Sequence, residues 1–270
     1  MTARCTAAVV LAAGAGSRMR REDAGARLDP AQAAAAAAGA KALIPDALGR
    51  PFLDHALSAL ADGGITDACL VVGPDSPVQA HYAARRTSRL ALAFVTQPAP
   101  LGTADAVARA ATWMDGRAAL VCNADNIYPA EAVRALVALA GPGLVAFDAD
   151  ALVAGGIPAE RLRAFALLEL RPDGTLERII EKPTDAEWEA STRHAVSMNL
   201  WRVDAEVVRA CREVPLSPRG ERELPQAVQL AVARGARLAA VRCARPVPDL
   251  SQRGDVAAVA ERLAREAPTL

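Results

Sequence analysis

Thr6-Ala-Ala-Val-Val-Leu11-Ala-Ala-Gly14-Ala-Gly16-Ser17-Arg18-Met19 is the stretch on which the reading of this chain turns. Its first eight residues, Thr6 to Ala13, form a short apolar run ended by two glycines, the pattern of a buried strand closing in a tight turn. Glycines at 14 and 16 let backbone come close to a ligand with free amides, and Arg18 adds a planar cationic fork suited to polyphosphate. A dinucleotide turn would need a third glycine where Met19 stands, and the Gly-Lys-Ser/Thr of a P-loop is absent.

Outward from this stretch, apolar strands alternate with helical patterns. Helix signals cover Pro51–Leu60, Val78–Arg86, Gly102–Met114 and Pro129–Ala140; strand signals cover Ala68–Val72, Leu90–Thr96, Ala118–Asn123 and Gly143–Phe147. Such alternation predicts an α/β fold with a mainly parallel sheet buried on both faces by helices. After about residue 150 the rhythm changes. Ala164–Leu170, the turn Pro172-Asp-Gly-Thr175 and Leu176–Ile180 predict a hairpin, Ala195–Val203 a further strand, and Glu221–Arg234 and Asp255–Arg265 helices. The second half is therefore expected to extend the sheet with antiparallel strands. Residues 20–40 form an alanine-rich insertion with a short helix and little apolar bulk to anchor it, either a plain surface insertion or a lid.

Composition narrows the functional classes. The 270 residues are 52% hydrophobic, and 31 basic residues balance 31 acidic ones, so no global basic field exists to hold a nucleic acid. No apolar run approaches the roughly 18 residues of a membrane span, and Met1-Thr-Ala-Arg-Cys5 lacks the regions of a signal peptide, so a cytoplasmic protein is expected. Cys5, Cys69, Cys122, Cys211 and Cys243 are dispersed, without metal-ligand spacing, and read as buried thiols of a reducing compartment. His55, His81 and His194 are scattered and read as structural. Only Lys41 and Lys182 are lysines; every other basic residue is arginine. Under that bias a retained lysine marks a place where a compact ammonium works and a planar fork does not.

The motifs, taken in order, resemble the sugar-1-phosphate nucleotidyltransferases. Leu11-Ala-Ala-Gly-Ala-Gly-Ser-Arg-Met19 is similar to the family signature, and Lys41-Ala-Leu-Ile-Pro45 to its Lys-Pro-Leu-Leu-Pro segment. Gly49-Arg-Pro-Phe-Leu-Asp-His-Ala-Leu57 looks like the helix start that follows. Gln97 with Leu101-Gly-Thr-Ala-Asp-Ala-Val107 is similar to the base-recognition loop, Asn123-Ala-Asp125-Asn126 to the metal aspartate loop, Glu181-Lys182-Pro183 to the Glu-Lys-Pro motif, and Ser197-Met-Asn199 to a sugar-contact strand. The resemblance implies a Rossmann-like fold in one domain over 1–270, with a nucleotide-binding half at 1–150 and a sugar-binding half at 151–270. It implies transfer of a nucleotidyl group from a nucleoside triphosphate to a sugar 1-phosphate, with Mg2+ as cofactor and no nucleic-acid or membrane partner. Formation of a homo-oligomer is left open.

Carried over residue by residue, the resemblance assigns Leu11, Ala12, Ala13, Gly14, Gly16, Ser17, Arg18, Gln97, Gly102 and Thr103 to the nucleotide. Arg18 would hold the departing pyrophosphate, Lys41 the α-phosphate and Lys182 the sugar phosphate, these three being the catalytic cations. Asn126, Glu181, Lys182 and Asn199 would line the sugar-phosphate site. Asp125 and Asp249 would hold the metal, although Ser251-Gln252 replaces the family's usual Gly-Thr and leaves Asp255 as the alternative. Lys41 is followed by Ala42 rather than proline, which puts the geometry of that loop in doubt. An acceptor and two donors on Gln97 suit the imide edge of uracil or thymine, so UTP or dTTP is expected ahead of GTP, with ATP left open. The alternatives are the same chemistry on a cyclitol or other non-sugar phosphate, a catalytically silent binding subunit, and a glycosyltransferase.

Overall fold

The computed structural model describes residues 5–14, 16–20, 26–191 and 194–270, with the side chains of Ser17 and Arg18 outside the description. The expected strand after the N-terminus is β1 (Ala7–Leu11), which pairs in parallel with β2 (Asp67–Val72) on one side and β4 (Ala119–Asn123) on the other; β3 (Ala91–Thr96) follows β2 at the edge. Its alternate residues pack into separate cores. Ala8 and Val10 face one cluster with α3 (Phe52–Asp62), α4 (Pro77–Ala83) and α6 (Ala130–Ala138), while Ala7 and Val9 face another with α5 (Thr103–Met114). Two buried faces explain why this strand reads as continuously apolar.

Beyond β4 the sheet order continues through β9 (Trp201–Val203), β5 (Gly143–Asp148), β8 (Ala195–Val196), β6 (Leu167–Leu170) and β7 (Leu176–Ile180). The pairings β4–β9, β5–β9, β5–β8, β6–β8 and β6–β7 are all antiparallel, as the change of rhythm after residue 150 predicted. One expected strand is corrected. Ala195–Val203 is two strands, because Asn199 adopts φ +58° in a turn whose amide donates to Ser197 Oγ at 3.2 Å. That kink moves the chain from beside β6 to beside β4. A tenth strand, β10 (Ala239–Cys243), lies parallel to β5 and escaped the reading because Ala-Ala-Val-Arg-Cys is short and alanine-rich.

The remaining helices are α1 (Ser17–Arg20), α2 (Pro30–Ala37), α7 (Ala149–Ala154), α8 (Ala159–Leu162), α9 (Asp185–Ala190), α10 (Ala205–Glu213), α11 (Leu224–Ala233) and α12 (Val256–Leu263). α10 and α11 cover the same face as α5. The Asp204 carboxylate caps α10 by accepting from the Glu206 and Val207 amides, a start signal that the sequence carries and the reading passed over. α2 is better anchored than its composition suggested. An Asp29–Gln32 capping box starts it, Gln32 Nε2 donates to the Pro45 carbonyl at 3.2 Å, and Ala36 is buried with Met19, Ile44, Phe52, Leu250 and Val256. Residues 21–25 of the insertion lie outside the described residues.

A buried polar knot fixes the chain just after Lys41. Asp46 accepts from the Leu48 and Arg50 amides (2.8 and 2.9 Å), from Arg50 Nε (2.7 Å), and faces His55 Nε2 at 3.0 Å. Burial alone would raise the Asp46 carboxyl, but these donors outweigh it and hold it below its ordinary value. Its contribution to stability is therefore complete above the ordinary carboxylate range and is lost as pH falls through the lowered native value. Asp46→Asn is expected to lower the thermal midpoint by roughly 5–10 °C near neutral pH. Melting curves taken at pH 7 and near pH 2, below the ordinary carboxylate value, check this; equal losses at both would contradict it.

Candidate active site

The carboxyl ends of β1, β2 and β4 open onto one cleft, where parallel α/β sheets commonly place ligands. Two adjoining cavities fill it, of about 400 and 360 Å3, and both are walled by Gly14, Lys41, Asn123 and Asp125. The smaller cavity adds Leu11, Ala12, Ala13, Gly73, Pro74, Val78 and Thr103, together with Ala38, Gly39 and Ala40 from the end of the insertion. The other adds Gly16, Asn126, Phe165, Ser197, Met198, Asn199, Asp249 and Ser251.

The glycine turn is held by close approach. Gly16 has φ +62°, and a Cβ there would lie 2.5 Å from the Gly39 carbonyl oxygen, so a larger residue would push the insertion off the turn. Ser17 and Arg18 have side chains outside the description, which leaves their expected phosphate contacts as expectations.

Lys41 begins one turn of 3-10 helix, Lys41–Leu43, and its Nζ forms an ion pair with Asp125 Oδ2. Asp125 follows β4 directly, through a backbone bond from Ala124 N to Leu11 O at 3.1 Å. Asp249 is distant in sequence but adjacent in space. Leu250 N donates to the Asp125 carbonyl (2.9 Å), Ile127 N to the Pro248 carbonyl (3.0 Å), and Asn126 and Asp249 form a β-bridge. Burial, and then the Asp125 carboxylate, push the Asp249 carboxyl up to about 6, against the opposing pull of Arg161 and Ser251. Asp255 stands apart from the cavity walls, bonded to Arg161 and to the Gln252 amide.

Two buried carboxylates side by side are hard oxygen donors with an unfavourable mutual charge, which suits Mg2+; that ion commonly takes one or two protein carboxylates with phosphates and waters. Among the described residues no three His, Cys, Asp or Glu side chains are grouped as a closed metal cage.

Tyr128 ties the two sides together and was not singled out in the sequence. Its buried hydroxyl donates to the Met198 carbonyl (2.7 Å), accepts from the Asn123 amide (3.3 Å), and stands 3.3 Å from Asn126 Oδ1 and the Asn199 carbonyl. Tyr128→Phe leaves these groups short of a partner at a cost of about 1–3 kcal/mol. For a reaction joining one ligand from each cavity, the expected result is a larger rise in KM for the ligand of the Asn126–Asn199 cavity than for the other, measured by varying each at saturation of the other.

The loop expected to read the base departs from the expected chemistry in one respect. Gln97 is buried, and its Nε2 donates both to the Gly102 carbonyl and to Asp105 Oδ2, each at 2.9 Å. Both partners are acceptors, so the amide orientation is chemically forced and only Oε1 remains for a base. Gly102, at φ +97°, packs so tightly that a Cβ would meet the Arg222 carbonyl oxygen at 2.3 Å. Thr103 Oγ1 accepts from the Leu224 amide at 2.8 Å, which docks this loop on the start of α11.

Glu181 and Lys182 are exposed and absent from the walls of both cavities. They follow β7, the last strand of the sheet path, far from β4. Partial enclosure and then Glu223 raise the Glu181 carboxyl, with Arg219 and Lys182 opposing. Lys182 has φ +50°, a conformation that side-chain-bearing residues adopt rarely and that occurs often at functional positions.

Other cleft residues were also missed. Gly73-Pro74 carried a usable signal, since it follows a buried strand. Phe165 carried none.

The family model described as "Nucleotidyl transferase" matches residues 24–244. The chain belongs to the nucleotidyl transferase family. It is 30% identical over 271 residues to the bifunctional protein GlmU of Rhizorhabdus wittichii, spanning 96% of this chain and 53% of that protein. It is 39% identical over 121 residues to the GlmU of Parvibaculum lavamentivorans, covering 45% of this chain and 23% of that one. The chain thus spans about half, or less, of the curated relatives it matches. A UDP-glucose pyrophosphorylase complexed with UDP-glucose has the same fold, with TM-score 0.74 and 13% identity over 97% of this chain and 100% of that one. So does the UTP-bound UGPase of Acinetobacter baumannii, with TM-score 0.74 and 14% identity over 98% and 95%. No helix among the described residues is long and apolar enough to cross a membrane.

Proposed function

We propose that this chain transfers a nucleotidyl group from a nucleoside triphosphate to a sugar 1-phosphate, releasing pyrophosphate and leaving an NDP-sugar. The observation that carries the reading is the wall common to two cavities, where Lys41 and Asp125 meet between a glycine turn and an asparagine-lined pocket. A phosphate from each side would come together there. An oxygen of the sugar phosphate attacks the α-phosphorus in line, the α–β bond breaks, and pyrophosphate departs toward the glycine turn and Arg18. Two anions must approach, so the chemistry is dominated by positioning and charge neutralisation.

Asp125 and Asp249 would hold Mg2+, which when bound supplies positive charge to the triphosphate oxygens. Lys41 neutralises the α-phosphate; Lys182 and Glu181, which line neither cavity, are given the sugar phosphate and hydroxyls by family resemblance alone. Asn126 and Asn199 offer hydrogen bonds within the sugar cavity. Gln97, with only its carbonyl free, suits the N3–H of uracil or thymine, and the UDP-glucose and UTP complexes of the structural neighbours favour UTP. The insertion at 20–40 would serve as a wall of the nucleotide side, and the reaction would take place in the cytoplasm.

A pyrophosphate-release panel tests the reading, crossing UTP, dTTP, GTP and ATP with several sugar 1-phosphates, with and without Mg2+. Release with UTP or dTTP that depends on Mg2+ is expected. Silence across the panel would sink the reaction, and full activity without a divalent ion would overturn the roles of Asp125 and Asp249.

A further inference from the structure

Arg161 is a largely enclosed cation that the reaction does not use. It sits on α8, the single helical turn after Gly155-Gly156-Ile-Pro158, with a side chain only 12% exposed, and it is absent from the walls of both cavities. Its Nη2 donates to Asp249 Oδ2, while its Nη1 bonds both oxygens of Asp255 at 2.9 and 3.0 Å. The other oxygen of Asp249 accepts from Ser251 Oγ (2.7 Å) and Asn126 Nδ2 (3.1 Å). Asp249 thus has no oxygen without a partner inside the chain.

We propose that Arg161 is a positioning residue that acts as an internal counter-cation for Asp249, competing with the divalent ion and setting how weakly the nucleotide-free cleft binds metal. The inference rests on the assignment of Asp249 to the metal. An Asp249 side chain 5% exposed lies in a poorly screened environment, so a guanidinium on one oxygen lowers strongly the attraction it offers a second cation. Arg161 uses separate nitrogens for its two carboxylates, so it can release Asp249 while Asp255 retains it. Triphosphate then supplies the extra negative charge that draws the ion in, and metal is held chiefly in company with substrate.

Binding of Mn2+ to the nucleotide-free protein, followed by the loss of its free-ion electron paramagnetic resonance signal, tests this without reference to turnover. Arg161→Gln is expected to bind Mn2+ about tenfold or more tightly than the unaltered chain, because a desolvated charge pair is removed. The gain is expected to vanish in an Arg161→Gln, Asp249→Asn double variant. Asp255→Asn is expected to weaken binding, since it leaves the guanidinium wholly to Asp249, and Arg161→Gln combined with Asp255→Asn should bind as tightly as Arg161→Gln alone. Unchanged or weaker binding in a folded Arg161→Gln overturns the proposal. If that variant does not fold, Asp255→Asn decides, with unchanged affinity overturning it. Mn2+ binding indifferent to Asp125→Asn and Asp249→Asn would instead remove the metal assignment beneath it.

Discussion

Lys41→Ala is expected to lower kcat on the order of 10²–10³-fold in pyrophosphate release, the loss typical of one preorganised charge stabiliser. Lys41 stands on the wall where the two cavities join, half-buried and paired to Asp125, so its ammonium is already directed at the meeting point of the phosphates. Its loop is braced just after the lysine, by Gln32 of α2 on the Pro45 carbonyl and by the Asp46 knot. That bracing replaces the rigidity that a proline at position 42 would bring. Lys41→Arg keeps the charge but places a planar fork where a point charge fits, and is expected to recover less than a tenth of the lost rate. Single-turnover measurements with saturating UTP check both variants. A fall under threefold in Lys41→Ala would remove it from the chemistry.

Asp125→Asn is expected to cost at least as much turnover, on the order of 10²–10³-fold, with no recovery at saturating Mg2+. Asp125 combines three positions that no other carboxylate of the described residues shares. It follows β4 at the centre of the cleft, it faces Lys41, and its backbone carbonyl receives the Leu250 amide that brings Asp249 alongside. The substitution removes the proposed metal ligand and frees Lys41 at once. The lysine is 27% exposed and can take water, so the thermal midpoint is expected to move by less than about 3 °C. Measuring kcat against Mg2+ concentration beside the melting curve separates lost chemistry from lost folding. Near-normal turnover at high Mg2+ would make Asp125 a dispensable ligand.

The two assigned metal carboxylates differ in how far the sequence showed them. Asp125 was legible because an apolar strand, then Asn-Ala-Asp, puts a carboxylate at a strand end whatever surrounds it. Asp249 was legible only through family resemblance, because the partner that defines it lies on another segment and reaches it by backbone pairing at Asn126. Gln97 was expected to offer a base one acceptor and two donors, and the structure uses both donors inside the chain. Its amide is claimed by Asp105, two residues into the following helix, and nothing in the local pattern shows which way a buried amide turns. The split of Ala195–Val203 was hidden for a similar reason: Asn199 is compatible with a strand, and only its neighbours on either side of the sheet force the left-handed turn.

The alternation of apolar strands with helices, the glycine turn and the order of the motifs were determined by the sequence itself, since strand period, turn conformation and charge type are local properties. The tertiary structure decided which carboxylates share a cleft, which donors are already used, and which cations are tethered: Lys41 to Asp125, and Arg161 to Asp249. The two tethers join residues more than eighty positions apart by long-range packing, where burial strengthens every charge.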